Sequence, residues 1–266
     1  MALRPARAAA LALGAVLAAA PAPAFVAQTP AAGPARVEFP SGDGLTITAD
    51  LYAPHPQTAP LLVLFHQAGS SRGEYREIAP RFVAMGFNCL AVDARSGGAV
   101  NGVPNETSRR AKAEGRPSGM LDAEQDLIAA LRFARSRYAR GPLLAVGSSY
   151  SASLVLRLAG QRPGLMDAVL AFSPGEYFRE PPEGPVSIAH AARGIGVPVF
   201  VTSARSERQE WSGIYAAIPR GLRHAYVPER EGRHGASALW RGTNGQEGYW
   251  QAVRSFLNLR APRVRA

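Results

Sequence analysis

The chain is 266 residues long and 47% hydrophobic, with 27 glycines and 22 prolines spread through it. This composition excludes a disordered or fibrous chain and fits one globular domain with a large core. The net charge of +10 comes from scattered arginines, with Lys112 the single lysine and Arg109-Arg110 the longest basic run, so no nucleic-acid partner is expected.

Residues 1–24 carry two arginines, an apolar run over 8–20 and the small-x-small triplet Ala22-Pro23-Ala24. That order is the pattern of an export signal, cleaved so that the mature chain starts near Phe25. It predicts a bacterial protein of the periplasm or of the outside of the cell. The apolar run is short for a bilayer span and no later stretch qualifies, so no stable membrane insertion is expected after signal removal. Residues 25–36, rich in alanine and proline, read as a linker, and 37–266 as the folded domain. Cys89 is the only cysteine, which excludes an intramolecular disulfide.

Within the domain, 37–39 and 45–52 alternate apolar and polar residues around Ser41-Gly42-Asp43-Gly44, which predicts a β-hairpin. A solid apolar run at 61–65 predicts a buried strand. Helical spacing covers 74–85 and stops at Gly86; a second buried strand spans 87–92 and ends at Asp93. Residues 94–119 read as a long polar loop, and 121–138 as an amphipathic helix. A strand at 143–146 breaks at Gly147, and a helix resumes from Ala152. Further strands are expected at 168–172, 197–202 and 223–227. Helices are expected at 188–193, 208–218 and 247–259. From residue 61 onward strands alternate with helices, the signature of a parallel sheet covered on both faces.

The segment Leu143 to Leu156 reads LLAVGSSYSASLVL. Gly147-x-Ser149-x-Ser151 is the small-x-Ser-x-small pattern of a nucleophile elbow, with Ser151 where glycine is usual. So tight a turn between strand and helix lifts the Ser149 hydroxyl clear and sets helix N–H groups beside it. Ser151 is the alternative nucleophile, although it falls inside the helix. The order hairpin, strand followed by His66-Gln67-Ala68-Gly69, strand followed by Asp93, elbow serine, late acid and late histidine resembles an α/β-hydrolase. The spacing is most similar to the dienelactone-hydrolase-related branch, with serine in place of that branch's cysteine nucleophile. The resemblance spans 37–259. It implies a mostly parallel eight-stranded sheet with helices on both faces and a short cap insertion.

By the same resemblance Ser149 is the nucleophile and His234, in the loop after the last strand, is the base. The acid is Glu207, with Glu176 as the rival; no aspartate occurs after Asp167. The oxyanion donors are the backbone N–H groups of Tyr150 and of Ala68, with Gln67 the neighbouring alternative. Asp93 and Arg95 are read as an ion pair fixing their loop. Met120, Tyr150, Tyr177, Phe178 and Trp211 are candidates for an apolar wall or for plain core. No metal-ligand spacing and no phosphate loop occur, so neither a metal nor another cofactor is expected. The expected function is a secreted serine hydrolase that cleaves small carboxylic esters through an acyl-enzyme. The alternatives are a peptidase or acyltransferase on the same triad, or a catalytically silent binding module.

Overall fold

Strand β1 (Ala35–Pro40) forms an antiparallel hairpin with β2 (Thr46–Tyr52), and β2 in turn lies antiparallel to β4 (Asn88–Val92). The remaining strands run parallel: β3 (Leu61–Phe65), β7 (Leu143–Ser148), β8 (Ala168–Phe172), β9 (Val199–Thr202) and β10 (Arg223–Tyr226). The sheet has eight strands in the order β1-β2-β4-β3-β7-β8-β9-β10. This computed structural model describes residues 1–2, 33–178 and 186–260. Residues 3–24 of the expected signal, most of the expected linker and the middle of the expected cap (179–185) lie outside the described residues. The domain starts slightly earlier than expected, because β1 takes in Ala35 and Arg36.

The central strands are unbroken apolar runs because helices cover both faces of the sheet. Leu61, Val63, Phe65 and Ala145 point into one core, with α3 (Glu124–Arg137) and α4 (Tyr150–Gln161). Leu62, Leu64, Leu144 and Val146 point into the other, with α1 (Ile78–Ala84) and α7 (Gln246–Arg260). The parallel register aligns Phe65 with Gly147, Ser148 with Phe172, Phe172 with Thr202 and Thr202 with Tyr226. The loops that follow these strands therefore emerge along one edge, where an open α/β sheet places its site.

The structure corrects three expectations. The helix expected over 74–85 is split into a 3-10 turn (Arg72–Tyr75), capped by Ser71, and the shorter α1. The expected polar loop 94–119 holds a small hairpin, β5 (Ala99–Val100) with β6 (Val103–Pro104), and helix α2 (Glu106–Ala113). Asn105 caps α2 by accepting the Ser108 N–H. Asp93 and Arg95 do not pair. Asp93 is enclosed by Arg72, whose backbone N–H and guanidinium both donate to it, and by the Glu106 N–H. Arg95 instead reaches Asp126 of α3 and Asp43 of the first hairpin. Helices α5 (Ile188–Ala192) and α6 (Arg208–Ala217) complete the fold.

Candidate active site

The turn from β7 to α4 is strained where the sequence places Ser149. This residue sits at φ 59°, ψ −122°, a region that non-glycine residues rarely occupy. Its own N–H donates to the Phe172 carbonyl at 2.8 Å, which ties the turn to β8. Gly147 is required here, since a Cβ would stand 2.5 Å from the Ala152 Cα. Ser151, which replaces the usual glycine, is buried. Its hydroxyl lies 2.8 Å from the Phe65 carbonyl oxygen and accepts the Ser148 N–H at 2.8 Å. Ser151 thus pins the turn, while Ser149 is left partly exposed above it.

His234 lies in the loop after β10 and Glu207 in the loop after β9. The His234 Nδ1–H donates to Glu207 Oε1 at 2.6 Å. With Nδ1 committed, Nε2 is the nitrogen free to accept a proton. That hydrogen bond raises the His234 pKa above its usual 6.5, against the opposing effect of burial. Burial pushes Glu207 up, but the hydrogen bonds from His234 and Ser173 outweigh it and hold the carboxyl below its ordinary value. Ser173 stands directly after β8 with φ 54°. Its hydroxyl donates to Glu207 Oε2 at 2.6 Å and accepts the Gly235 N–H at 2.8 Å. The histidine loop is also fastened to the elbow, because the Ala236 N–H donates to Ser148 Oγ at 2.8 Å. Gly235, at φ 68°, allows this approach: a Cβ there would lie 2.5 Å from Ser148 Oγ.

Glu176 is engaged elsewhere. Its two carboxylate oxygens accept the N–H groups of Ile188 and Ala189, each at 2.8 Å, so it caps α5. Of the oxyanion candidates, Tyr150 is the first residue of α4, where the N–H has no intrahelical acceptor. Ala68 is exposed at the tip of the loop after β3. Gln67 is unsuited, because its N–H already donates to Glu74 Oε2 at 2.8 Å. His66 shapes this loop from below. Its Nδ1–H donates to the Gln67 carbonyl at 2.8 Å and its Nε2 accepts the Ala94 N–H at 3.0 Å. Burial lowers its pKa, in keeping with a neutral ring.

Among the candidates for an apolar wall, Tyr150, Phe178 and Trp211 are buried core residues and Met120 is exposed. Tyr177 is different. Its hydroxyl donates to the Ser173 carbonyl at 2.9 Å, on the residue that also holds Glu207. Neither Ser173 nor Glu74 stands out in the amino-acid sequence. A residue directly after a parallel strand is a usable signal for the first; nothing local marks the second.

Residues 56–214 match the model of the family described as serine aminopeptidase, S33. The chain belongs to this family. It is an α/β-hydrolase, and solved structures share its fold. Esterase Pf2001 of Pyrococcus furiosus is 17% identical, with a TM-score of 0.66 over 86% of this chain and 93% of that one. A dienelactone hydrolase from Anabaena variabilis is 13% identical, with a TM-score of 0.64 over 86% of this chain and all of that one. Acylaminoacyl peptidase of Pyrococcus horikoshii is 16% identical, with a TM-score of 0.62; it covers 87% of this chain, which spans 42% of the peptidase. At these identities the likeness is one of fold. A comparison with curated proteins finds no match.

Proposed function

We propose that this hydrolase cleaves carboxylic esters through an acyl-enzyme on Ser149. The observation that carries the reading is the 2.6 Å His234–Glu207 hydrogen bond in a loop fastened to the strained Ser149 turn. In the first step Ser149 Oγ bonds to the ester carbon while its proton passes to His234 Nε2. Negative charge develops on the carbonyl oxygen, where the N–H groups of Ala68 and Tyr150 receive it. His234 then protonates the leaving alcohol as the ester C–O bond breaks. Water attacks the acyl-enzyme with His234 again taking the proton, and the acid departs as Ser149 recovers its hydrogen. Glu207 keeps His234 in the productive tautomer and stabilises its charged form.

An amino-terminal peptide or amide is the second reading. Glu210 stands exposed on the first turn of α6, and its field reaches both His234 and Tyr177. That free carboxylate suits a substrate ammonium. The charged, apolar and small-residue order of residues 1–24 further supports export to the periplasm or beyond the cell.

A panel of p-nitrophenyl esters and aminoacyl p-nitroanilides tests the reading. Ester turnover in the wild type that is lost in Ser149→Ala supports it. Turnover of anilides alone, weakened by Glu210→Gln, would move the assignment to the peptidase.

A further inference from the structure

Three fully buried carboxylates lie around the site, and they are held in different ways. Asp93 is paired with Arg72 at 2.6 Å and Asp126 with Arg95 at 2.7 Å. Glu74, in the 3-10 turn, is equally buried, yet among the described residues no arginine or lysine forms an ion pair with it. Its oxygens face only neutral donors. Oε2 accepts the Gln67 N–H at 2.8 Å, and Oε1 accepts the Ser148 hydroxyl at 2.7 Å. Ser148 Oγ also accepts the Ala236 N–H at 2.8 Å while it donates its single hydrogen to Glu74. The Glu74 carbonyl accepts the Trp240 indole N–H at 2.8 Å. These bonds end on the residue before Ala68, the residue before Ser149 and the segment just after His234.

We propose that Glu74 is a positioning residue whose carboxylate locks the Ala68 loop, the Ser149 turn and the His234 loop into the register needed for catalysis. The role rests on the serine-hydrolase reading given above. A buried charge with no cationic partner destabilises a fold, and such a cost is typical of groups held for function. Both oxygens act as acceptors, because the Gln67 N–H can only donate and Ser148 directs its one hydrogen at Oε1. A carboxylic acid on Oε1 would make the Ser148 hydroxyl turn its hydrogen away and accept instead, which rearranges the bridge to the Ser149 turn. Burial pushes Glu74 up to about 7, opposed by the bonds from Ser148 and Gln67, by the Ser70 hydroxyl and by the field of His234. The other titratable groups facing it are the phenols of Tyr75 and Tyr150, both raised by burial and so neutral. The lock is closed well above pH 7 and loosens as pH falls through about that value. His234 must lose its proton over a neighbouring range, so the acid limb of activity involves two protons.

The stability consequence has the opposite sign. The folded pKa of Glu74 lies above its ordinary 4.5, so its ionisation lowers stability as pH rises from 4.5 through about 7. A neutral isostere removes that loss.

The test compares full-length wild type, Glu74→Gln and Ser148→Ala by kcat, KM and urea midpoint. Glu74→Gln should lose more than about fivefold in kcat with KM little changed, and with a urea midpoint at pH 8 at or above wild type. Its acid limb should fall to a single proton. Ser148→Ala, which keeps the charge but cuts the bridge to Ala236, should also lose kcat while its limb stays at two protons. A kcat within fivefold of wild type in either variant, or a midpoint of Glu74→Gln lowered at pH 8, overturns the proposal. If the wild type turns over no substrate, the functional reading fails separately. In that case the amide signals of Gln67 and Ala236, followed by NMR from pH 5 to 9, still decide: in the wild type they should share a titration step that Glu74→Gln lacks, leaving there only the step that His234 imposes on its own loop. Flat signals in the wild type would contradict the lock.

Discussion

The Ser173 hydroxyl joins Glu207 to the backbone of the histidine loop, donating to Oε2 at 2.6 Å and accepting the Gly235 N–H at 2.8 Å. The acid and the histidine are thus aligned by a serine from a third loop, held at positive φ. Losing a hydrogen bond to a charged group costs about 1.5–3 kcal/mol, so Ser173→Ala should lower kcat about 10- to 100-fold. Steady-state kinetics checks this, with KM expected to move little. An unchanged kcat would make Ser173 a loop-packing residue only.

The two glutamates should part sharply. Glu207→Gln cannot stabilise the charged imidazole and should cost up to about four orders of magnitude in turnover. Glu176→Gln should cost about tenfold or less, because it disturbs only the cap of α5. Its effect should appear instead as faster amide exchange at Ile188 and Ala189.

The raised pKa of His234 sets the direction of the pH profile. The base must be neutral to accept a proton, so kcat/KM should fall as pH drops through a value above 6.5. The largest cause of the shift is the bond to Glu207, so the residual activity of Glu207→Gln should keep its acid limb at lower pH than the wild type. A limb that does not move would separate Glu207 from the titration of His234.

Stability should also depend on Arg95. Its side chain and that of Asp126 are both wholly buried, 2.7 Å apart. Arg95→Met leaves a buried unpaired carboxylate, a loss of about 3–5 kcal/mol. Urea unfolding should show it, and adding Asp126→Asn should recover much of the difference, since the stranded charge is then gone.

Much of the architecture was legible because one physical signal dominated each element. Strands β3, β7 and β8 are solid apolar runs, and helices cover both of their faces. The tight turn at Ser149 was legible because small residues flank it at a strand-to-helix break, and the loop position of His234 because it follows the last strand. Helix α2 was not legible. Its inward face is polar: the Thr107 hydroxyl accepts the Thr48 N–H at 3.0 Å, so hydrogen bonds take the place of an apolar stripe. The partners of Asp93 and Arg95 lie far along the chain, and neighbouring position suggested a pairing that the fold does not make. Gln67 looked free as a donor because nothing in its own segment shows that Glu74 takes its N–H. Glu74 fell at the start of an expected helix and was not marked, since its burial arises only when three loops close over it.

The most direct test of the whole account is covalent. Wild-type protein treated with a fluorophosphonate should gain one adduct in its intact mass, and peptide sequencing by mass spectrometry should place it on Ser149. Ser149→Ala should gain none while keeping wild-type circular dichroism. An adduct on Ser151 or on another serine, or a folded wild type that takes up no label at any pH from 6 to 9, would contradict the assignment of Ser149 as the nucleophile.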